Sequence, residues 1–265
     1  GFSWQTLFLL SAGGFLVTGS SNAFNQIIEK DLDKLMDRTA NRPLPTGRMT
    51  VPEAYAAAIA MGISGVLILW VGINPLCGIL SLLSLLLYTL VYTPSKKITP
   101  FSVLIGAFPG AFPPLLGWVA GRNEIGMEAL VLYAIQFIWQ FPHFWAIAWV
   151  LHDDYAKAGF KMLPTGQGRT KGAAFQTLVY SICLIPLAIM PIVFGFTGII
   201  ATILMVITGI LFTLQALRLF NQCDLKSAQR LMFGSFIYLP VVQIIWMLNK
   251  IRSEERRVGK ECSLP

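Results

Sequence analysis

The chain has 265 residues, of which 55% are hydrophobic and 12% charged, and its 20 Lys and Arg against 13 Asp and Glu give a net charge of +7. The charged fraction is about half of the roughly 25% usual in soluble domains. This composition excludes a disordered chain, a disulfide scaffold and a collagen-like fibre. Its long apolar blocks also exclude a soluble domain built from amphipathic elements, so the sequence predicts a multi-spanning membrane protein.

Eight charge-poor stretches are long enough to cross about 30 Å of hydrocarbon, which takes roughly 20 residues each. In chain order they lie at 4–24, 52–72, 75–93, 101–120, 128–150, 173–193, 197–217 and 231–249. A β-barrel would need short strands of alternating polarity, and the run from Cys77 to Thr89 does not alternate. We therefore predict an all-α fold, a polytopic transmembrane helix bundle with eight spans, forming a single domain over residues 1–250.

The positive charges are sorted between the two sides of the membrane. Lysines and arginines cluster in alternate connections, and before the C-terminal tail the opposite connections hold only Arg122. This positive-inside pattern places the long connections 25–51 and 151–172 on the cytoplasmic face. It also explains the basic charge without nucleic-acid binding. The four cysteines form no CxxC motif, which gives no support to a metal cluster or covalent haem.

Both ends of the chain depart from this pattern. The chain opens on Gly1 almost directly inside an apolar segment, which we interpret as the loss of a preceding helix. From Arg252 the sequence RSEERRVGKECSLP places basic residues on the side that should be poor in them. We expect residues 251–265 to form an unstructured, artefactual tail.

The first long connection begins with polar residues at helical spacing. On a helix that continues out of the first span, Asn25, Glu29 and Asp33 stand four residues apart and project from one face. Two carboxylates and an amide oxygen in line make a hard-oxygen site suited to Mg²⁺, which bridges to phosphate. Arg38 and Arg42, again four apart, could hold the same phosphate oxygens. The alternative is a solvated helix end whose charges pair with one another.

Lys96 and Lys97 precede the fourth span. Their first expected role is to set the orientation of the chain in the membrane, and a diphosphate contact is the second. His143 lies at membrane depth in the fifth span, within WQFPHFW. It is either a core imidazole bonded to a carbonyl or a functional group, acting as an acid/base or as a haem-iron ligand. Asp153 and Asp154, just after that span, could form the far half of the metal site.

Three segments resemble the UbiA superfamily of intramembrane prenyltransferases, and within it the haem O synthases. They are NQIIEKDLDKLMDRTANRPLPTGRM (25–49), YTPSKKITPFSVLIGAFPGAFPPLLGW (92–118) and FIWQFPHFWAIAWVLHDDYAKAGFKMLPT (137–165). The first matches the family motif NxxxDxxxD, with Glu29 in place of its middle aspartate. The second aspartate motif matches at Asp154, but Leu151 stands where an acidic residue is expected in the quinone-forming relatives.

The resemblance implies a reaction. Farnesyl diphosphate and haem B would be the substrates, and a vinyl group of the haem would be alkylated by the farnesyl cation and then hydrated to give haem O for haem–copper oxidases. His143 would orient the haem or move a proton. The implied Mg²⁺ ligands are Asn25, Glu29, Asp33 and Asp154, and the implied diphosphate ligands are Arg38, Arg42 and Lys97.

The resemblance also implies a place in the cell. The protein would lie in the bacterial inner membrane with its catalytic loops in the cytoplasm, and haem A synthase or oxidase assembly factors would be partners. Two alternatives remain at this point. One is a prenyltransferase for aromatic quinone precursors, which Leu151 and the HFW element argue against. The other is a haem carrier or transporter, which gives no reason for carboxylates beside paired arginines.

Overall fold

The structure, a computed structural model, describes the backbone of residues 3–261 and the side chains of residues 3–250. Within this range the chain is helical and contains no strand. The helices are α1 (Trp4–Ile28), α2 (Lys30–Asp33), α3 (Val51–Gly72), α4 (Pro75–Leu86), α5 (Thr93–Ile98), α6 (Ser102–Gly110), α7 (Phe112–Arg122), α8 (Met127–Val150), α9 (His152–Lys157), α10 (Lys171–Val193), α11 (Ile199–Gln222) and α12 (Leu225–Glu261).

Eight helical segments of the described range are long and apolar enough to cross a membrane. They are Trp4–Ile28, Val51–Gly72, Pro75–Ile98, Ser102–Arg122, Met127–Val150, Lys171–Val193, Ile199–Gln222 and Leu225–Lys250. Each overlaps one of the predicted stretches. The prediction of an all-α membrane protein with eight spans is therefore confirmed.

Helix starts follow local capping chemistry. At the start of α3, the Thr50 side chain accepts from the backbone N–H of Glu53, and the Glu53 carboxylate accepts from the backbone N–H of Thr50. The Asn74 side chain accepts from the N–H of Cys77 at the start of α4, where Pro75 already has a helical φ. These caps satisfy N–H groups that a helix leaves unpaired, so the connection between α3 and α4 can be short.

The third and fourth spans are not regular helices. In the third, residues Leu87–Tyr92 form a wider turn of the π type between α4 and α5. In the fourth, α6 ends at Gly110 and α7 begins at Phe112, with Pro113 in its first turn. A π turn carries one residue more than an α turn, and a proline cannot donate to the preceding turn. Both irregularities interrupt the regular α-helix of their span.

The described chain divides into two compact units. The first consists of Gly1–Tyr133 and Leu151–Arg169, and the second of Ala134–Val150 and Thr170–Pro265. In the first unit α1 packs closely on α3: a methyl group added to Gly65 would lie 2.9 Å from the Gly13 carbonyl oxygen. In the second unit α10 packs on α11, and α11 packs on α12. That residues 1–250 form one domain stays a prediction.

The last helix is longer than predicted. Its backbone continues in helical form to Glu261, into the segment that was predicted to be an unstructured tail. Arg, Lys and Glu have good helix propensity and no proline interrupts this stretch, which allows the helix to continue past the apolar segment. Residues 262–265 of the predicted tail lie outside the described residues.

Candidate active site

A polar cavity of about 180 Å³ lies in the first unit. We call it the polar cavity. It receives side chains from α1, α2 and the first loop, from the third span, and from the loop that includes α9. Its lining residues are Asn22, Asn25, Glu29, Asp33, Met36, Arg38, Arg42, Tyr88, Tyr92, Lys96, Tyr155, Phe160 and Met162.

Three polar residues from the first span and its extension enter this cavity, although the helix is interrupted between them. The α-helix ends at Ile28 and resumes at Lys30, whereas a continuous helix was predicted. The N–H of Glu29 still donates to the Asn25 carbonyl at 2.9 Å, and that of Asp33 to the Glu29 carbonyl at 2.8 Å. Because these four-residue bonds preserve the helical rise and rotation, the side chains of Asn25, Glu29 and Asp33 line one cavity.

Glu29 pairs with a lysine inside the polar cavity. The Nζ of Lys96 lies 2.9 Å from Oε1 and 3.2 Å from Oε2 of Glu29, and both side chains are buried. The same Nζ lies 4.9 Å from the centre of the Tyr92 ring and 5.8 Å from that of Phe160. An ammonium held by a carboxylate and two aromatic rings keeps its charge away from bulk water.

The structure distinguishes Lys97, the predicted diphosphate ligand, from its neighbour Lys96. Lys97 is exposed and does not line the polar cavity, whereas its neighbour Lys96 does. Successive residues of an α-helix point about 100° apart, so only one of the two lysines can face the cavity. The backbone N–H of Lys161 donates to the Lys96 carbonyl at 3.1 Å, which fixes the second long loop beside α5.

Asp33 pairs with an arginine of the first loop. The Nη1 of Arg42 donates to both carboxylate oxygens of Asp33, at 3.0 and 2.8 Å, and Asp33 is fully buried. Arg38 lies at the rim of the same cavity, with its guanidinium carbon 5.9 Å from the centre of the Tyr155 ring. The wall thus carries three cationic side chains, Arg38, Arg42 and Lys96, against two carboxylates. Such an excess of positive charge favours an anionic ligand.

The carboxylate of Asp154 binds backbone N–H groups of the first loop. Its carboxylate accepts from the N–H of Asp37 at 2.7 Å and from that of Arg38 at 3.4 Å, and Lys157 lies 3.5 Å away. Burial alone would raise the pKa of Asp154, but the two N–H donors and Lys157 outweigh it and hold the pKa below its ordinary value. Asp154 does not line the polar cavity, so the structure does not bring it together with Glu29 and Asp33.

A second cavity of about 450 Å³ adjoins the first, and we call it the apolar chamber. It lies among α1, α4 and the broken fourth span, and it shares Asn22 and Tyr88 with the polar cavity. Its walls are mainly aliphatic and aromatic, with Val17, Phe112 and Leu116 among them. The volume is within the usual range of about 300–1,000 Å³ for small-molecule sites. A ligand with an anionic head and an apolar chain fits this pair of cavities.

Comparison of the sequence with known proteins identifies the family of this chain. The profile of the UbiA prenyltransferase family matches residues 1–239, which is most of the chain. The chain belongs to this family. A protoheme IX farnesyltransferase from Cytophaga hutchinsonii is 52% identical over 248 residues, covering 94% of this chain and 87% of the relative. One from Flavobacterium psychrophilum is 48% identical, covering 94% of this chain and 85% of the relative.

Solved structures share the fold of this prenyltransferase at low sequence identity. A digeranylgeranylglyceryl phosphate synthase superposes with a TM-score of 0.78 and 21% identity, covering 95% of this chain and 88% of its own. A UbiA homologue from Archaeoglobus fulgidus, solved with GPP and Mg²⁺, gives 0.69 and 18% identity, covering 92% and 89%. At these identities the likeness establishes the fold alone.

Mg²⁺ is the metal that the family implies, and the polar cavity offers suitable donors for it. Among the described residues no group of three or more His, Cys, Asp or Glu side chains is arranged to enclose a metal ion. Mg²⁺ does not need such a cage, because it is usually held by one or two carboxylates together with phosphate oxygens and water. Glu29 and Asp33, with the Asn25 amide, supply these oxygens, and the two carboxylates are balanced by Lys96 and Arg42. The donor set therefore fits Mg²⁺ shared with a phosphate ligand.

His143 lies in the second unit of this prenyltransferase, on the α8 segment Ala134–Val150. It is buried, its Nδ1 lies 2.7 Å from the Ser235 Oγ, and its ring stacks on Trp139 with centroids 4.4 Å apart. The hydrogen-bond partner is thus a hydroxyl of α12 and not the backbone carbonyl expected of a core imidazole. Its function stays a prediction.

Sequence reasoning missed several cavity residues. Asn22 precedes Asn25 by three residues and so belongs to the same helix face, a signal that was available in the sequence. Tyr88, Tyr92 and Tyr155 gave no such signal, because aromatic residues in apolar segments are usually packing residues. Only the π turn and the docking of the second loop bring these rings to the cavity.

Proposed function

We propose that this membrane prenyltransferase transfers the farnesyl group of farnesyl diphosphate to a vinyl group of haem B and so forms haem O. The observation that carries the proposal is the meeting of a cation-rich polar cavity with an apolar chamber at Asn22 and Tyr88. That arrangement suits a prenyl diphosphate. The acceptor is inferred from relatives with the name protoheme IX farnesyltransferase that are up to 52% identical over nearly the whole chain.

In this proposal the diphosphate binds Arg38, Arg42 and Lys96. Lys96 and Arg42 already stand beside Glu29 and Asp33 in the cavity, so the anion is met by oriented cations rather than by mobile surface side chains. Asn25, Glu29 and Asp33 would hold Mg²⁺. When bound, Mg²⁺ supplies Lewis-acid stabilisation of the leaving diphosphate. The farnesyl chain extends into the apolar chamber, where burial contributes about 0.8 kcal/mol for each CH₂ removed from water.

The reaction begins when the bond between farnesyl C1 and the diphosphate oxygen breaks and both electrons leave with the diphosphate. Tyr88 lines both cavities and therefore lies where that bond would sit, with the Tyr92 ring 5.0 Å from it. Ring faces stabilise a nearby cation. The π electrons of the haem vinyl group then form the new carbon–carbon bond. Water adds to the resulting cation and releases a proton to solvent, giving the hydroxyethylfarnesyl group.

The proposed site has a cellular setting. The protein is a multi-pass membrane protein, and we place it in the bacterial inner membrane with the polar cavity on the cytoplasmic side. The basic connections support this orientation. Haem A synthase or oxidase assembly factors are the proposed partners, because haem O must be passed on without release into water. Co-purification from membranes tests this part.

The test is incubation of the membrane-inserted protein with haem B, farnesyl diphosphate and Mg²⁺, followed by mass spectrometry of the extracted haems. We expect a Mg²⁺-dependent product with the mass of haem O. Glu29→Gln and Asp33→Asn should abolish it while the protein stays inserted and folded. Asp31→Asn is the matched control, because Asp31 is exposed and its ion pair among the described side chains is with Lys34 at the surface. Absence of product from the unmodified protein, or full activity in both cavity variants, would contradict the proposal.

A further inference from the structure

The imidazole of His143 is held on several sides within the second unit. Trp139 stacks on one face with an interplanar angle of 17°, and the rings of Phe144 and Phe236 meet it edge-on with centroids 5.1 and 5.0 Å away. The Trp139 indole is itself fixed, because its Nε1–H donates to the Ser235 carbonyl at 3.0 Å. The ring of His143 therefore has one orientation, set by α8 and by residues 235 and 236 of α12.

The hydroxyl of Ser235 determines which imidazole nitrogen carries the proton. Its Oγ lies 2.5 Å from the Met232 carbonyl oxygen, which has no hydrogen to donate. The single hydroxyl proton of Ser235 must therefore lie between these two oxygens. Oγ can then only accept at its other contact, 2.7 Å from Nδ1 of His143. Nδ1 consequently carries a hydrogen, and the neutral ring keeps its lone pair on Nε2.

Nε2 is left available by this arrangement. His143 has no hydrogen bond at Nε2 to any described residue, and Nε2 is not among the fully enclosed polar atoms that lack a partner, so it keeps some accessible surface. A protonated ring would be poorly supported here. No carboxylate of a described side chain contacts it, and its neighbours are Trp139, Phe144 and Phe236, so charging it would carry a desolvation penalty. These surroundings favour a role for the neutral ring over a role as general base.

We infer that Ser235 is a positioning residue that holds His143 in the Nδ1–H tautomer, so that Nε2 ligates the iron of the haem substrate. This inference rests on the proposed function, which supplies the haem. A histidine that binds a metal through one nitrogen usually donates its other N–H to a fixed acceptor, which sets the ring orientation and raises the basicity of the ligating nitrogen. This is the arrangement seen here, where His143 donates to the Ser235 hydroxyl and that hydroxyl donates to the Met232 carbonyl.

The experiment is a titration of the purified protein in nanodiscs with haem B, without farnesyl diphosphate, followed by resonance Raman spectroscopy of the ferrous complex. The stretching band between iron and the histidine nitrogen is the readout. His143→Ala should lose this band. Ser235→Ala should keep it at a lower frequency and weaken haem binding about tenfold or more, the usual effect of removing an outer partner of a metal ligand. Ser235→Thr should restore both.

Two controls separate positioning from folding. Ser181→Ala removes another buried hydroxyl of the second unit that bonds a carbonyl, that of Thr177, and it should leave the band and the affinity unchanged. Ser235→Cys keeps a weaker acceptor of similar size and should give an intermediate frequency. A purely structural role of Ser235 would lower the melting temperature without moving the band, and that result overturns the inference.

The same samples are assayed for haem O, so a failure of the ligand assignment can be distinguished from a failure of the proposed reaction. An unchanged band in His143→Ala removes His143 as the iron ligand, even if the unmodified protein makes haem O. If the unmodified protein forms haem O but shows no band between iron and a histidine nitrogen, His143 is likewise removed as the iron ligand. A histidine band that depends on Ser235, in a protein that never makes haem O, supports the ligand assignment and contradicts the proposed reaction.

Discussion

The neighbouring lysines of α5 offer a direct test of the polar cavity. Lys96→Met removes the cation that lies 2.9 Å from Glu29 and leaves that buried carboxylate unpaired. Breaking a buried ion pair in this way costs about 3–5 kcal/mol of folding free energy. Loss of one oriented group that stabilises a leaving anion costs about 10²–10³ in kcat. Lys97→Met is the matched control, because Lys97 is exposed and its replacement should change stability by about 0.5 kcal/mol or less.

The assay measures the initial rate of haem O formation and the melting temperature in detergent for each variant. Adding Glu29→Gln to Lys96→Met removes the unpaired charge, so the double variant should recover much of the lost stability without recovering activity. This separation of stability from turnover would not arise if Lys96 served packing alone. Equal losses in Lys96→Met and Lys97→Met, or turnover by Lys96→Met within twofold of the unmodified protein, would refute the reasoning.

Two further predictions concern the loop contact and the helix packing. Asp154→Asn should weaken the hydrogen bonds from the backbone N–H groups of Asp37 and Arg38 by about 1–2 kcal/mol. It should also raise KM for the diphosphate substrate. The pKa of Asp154 in the folded state lies below its ordinary value of 3.8, so its contribution to folding stability is fully present above pH 3.8 and is lost as the pH falls through the lowered pKa. The difference in stability between Asp154→Asn and the unmodified protein should therefore stay constant between about pH 5 and 9. Gly65→Ala should push α1 and α3 apart and lower the free energy of unfolding by about 1–3 kcal/mol. At Gly14 an added methyl group would meet no neighbouring atom of the described residues within 4 Å, so Gly14→Ala should be neutral or stabilising in thermal unfolding.

The spans could be predicted from sequence because the bilayer imposes a length and excludes charge. Each of the eight predicted stretches overlaps a helix of the structure. Asn25, Glu29 and Asp33 could be placed together for a similar reason, since a four-residue spacing keeps side chains on one face as long as the backbone stays nearly helical. The break at Glu29 does not disturb this, because the hydrogen bonds on either side of it persist.

The contacts that could not be predicted are those that no local spacing encodes. Lys96 and Lys97 are chemically identical neighbours, and only the packing of the third span against α1 decides which of them faces Glu29. Asp154 was predicted as a metal ligand from its place after the fifth span and from its match to the second aspartate motif, and that role stays a prediction. The folded loops bring its carboxylate to two backbone N–H groups, and this contact has no sequence signature. Tyr88 likewise reaches the cavity through an irregular turn that its apolar surroundings do not indicate.

The junction of the two cavities has a consequence for inhibitor design. Asn22 and Tyr88 border both the 180 Å³ polar space and the 450 Å³ apolar one, so a ligand that fills both contacts them midway. A hydrolysis-resistant bisphosphonate with an apolar tail would therefore draw its affinity from two separable sources. Salt should weaken the part of the binding free energy that comes from the charged head group, in proportion to the exposure of that group. The part that comes from the tail depends on the apolar area it buries. Tail length and head charge can thus be optimised one at a time.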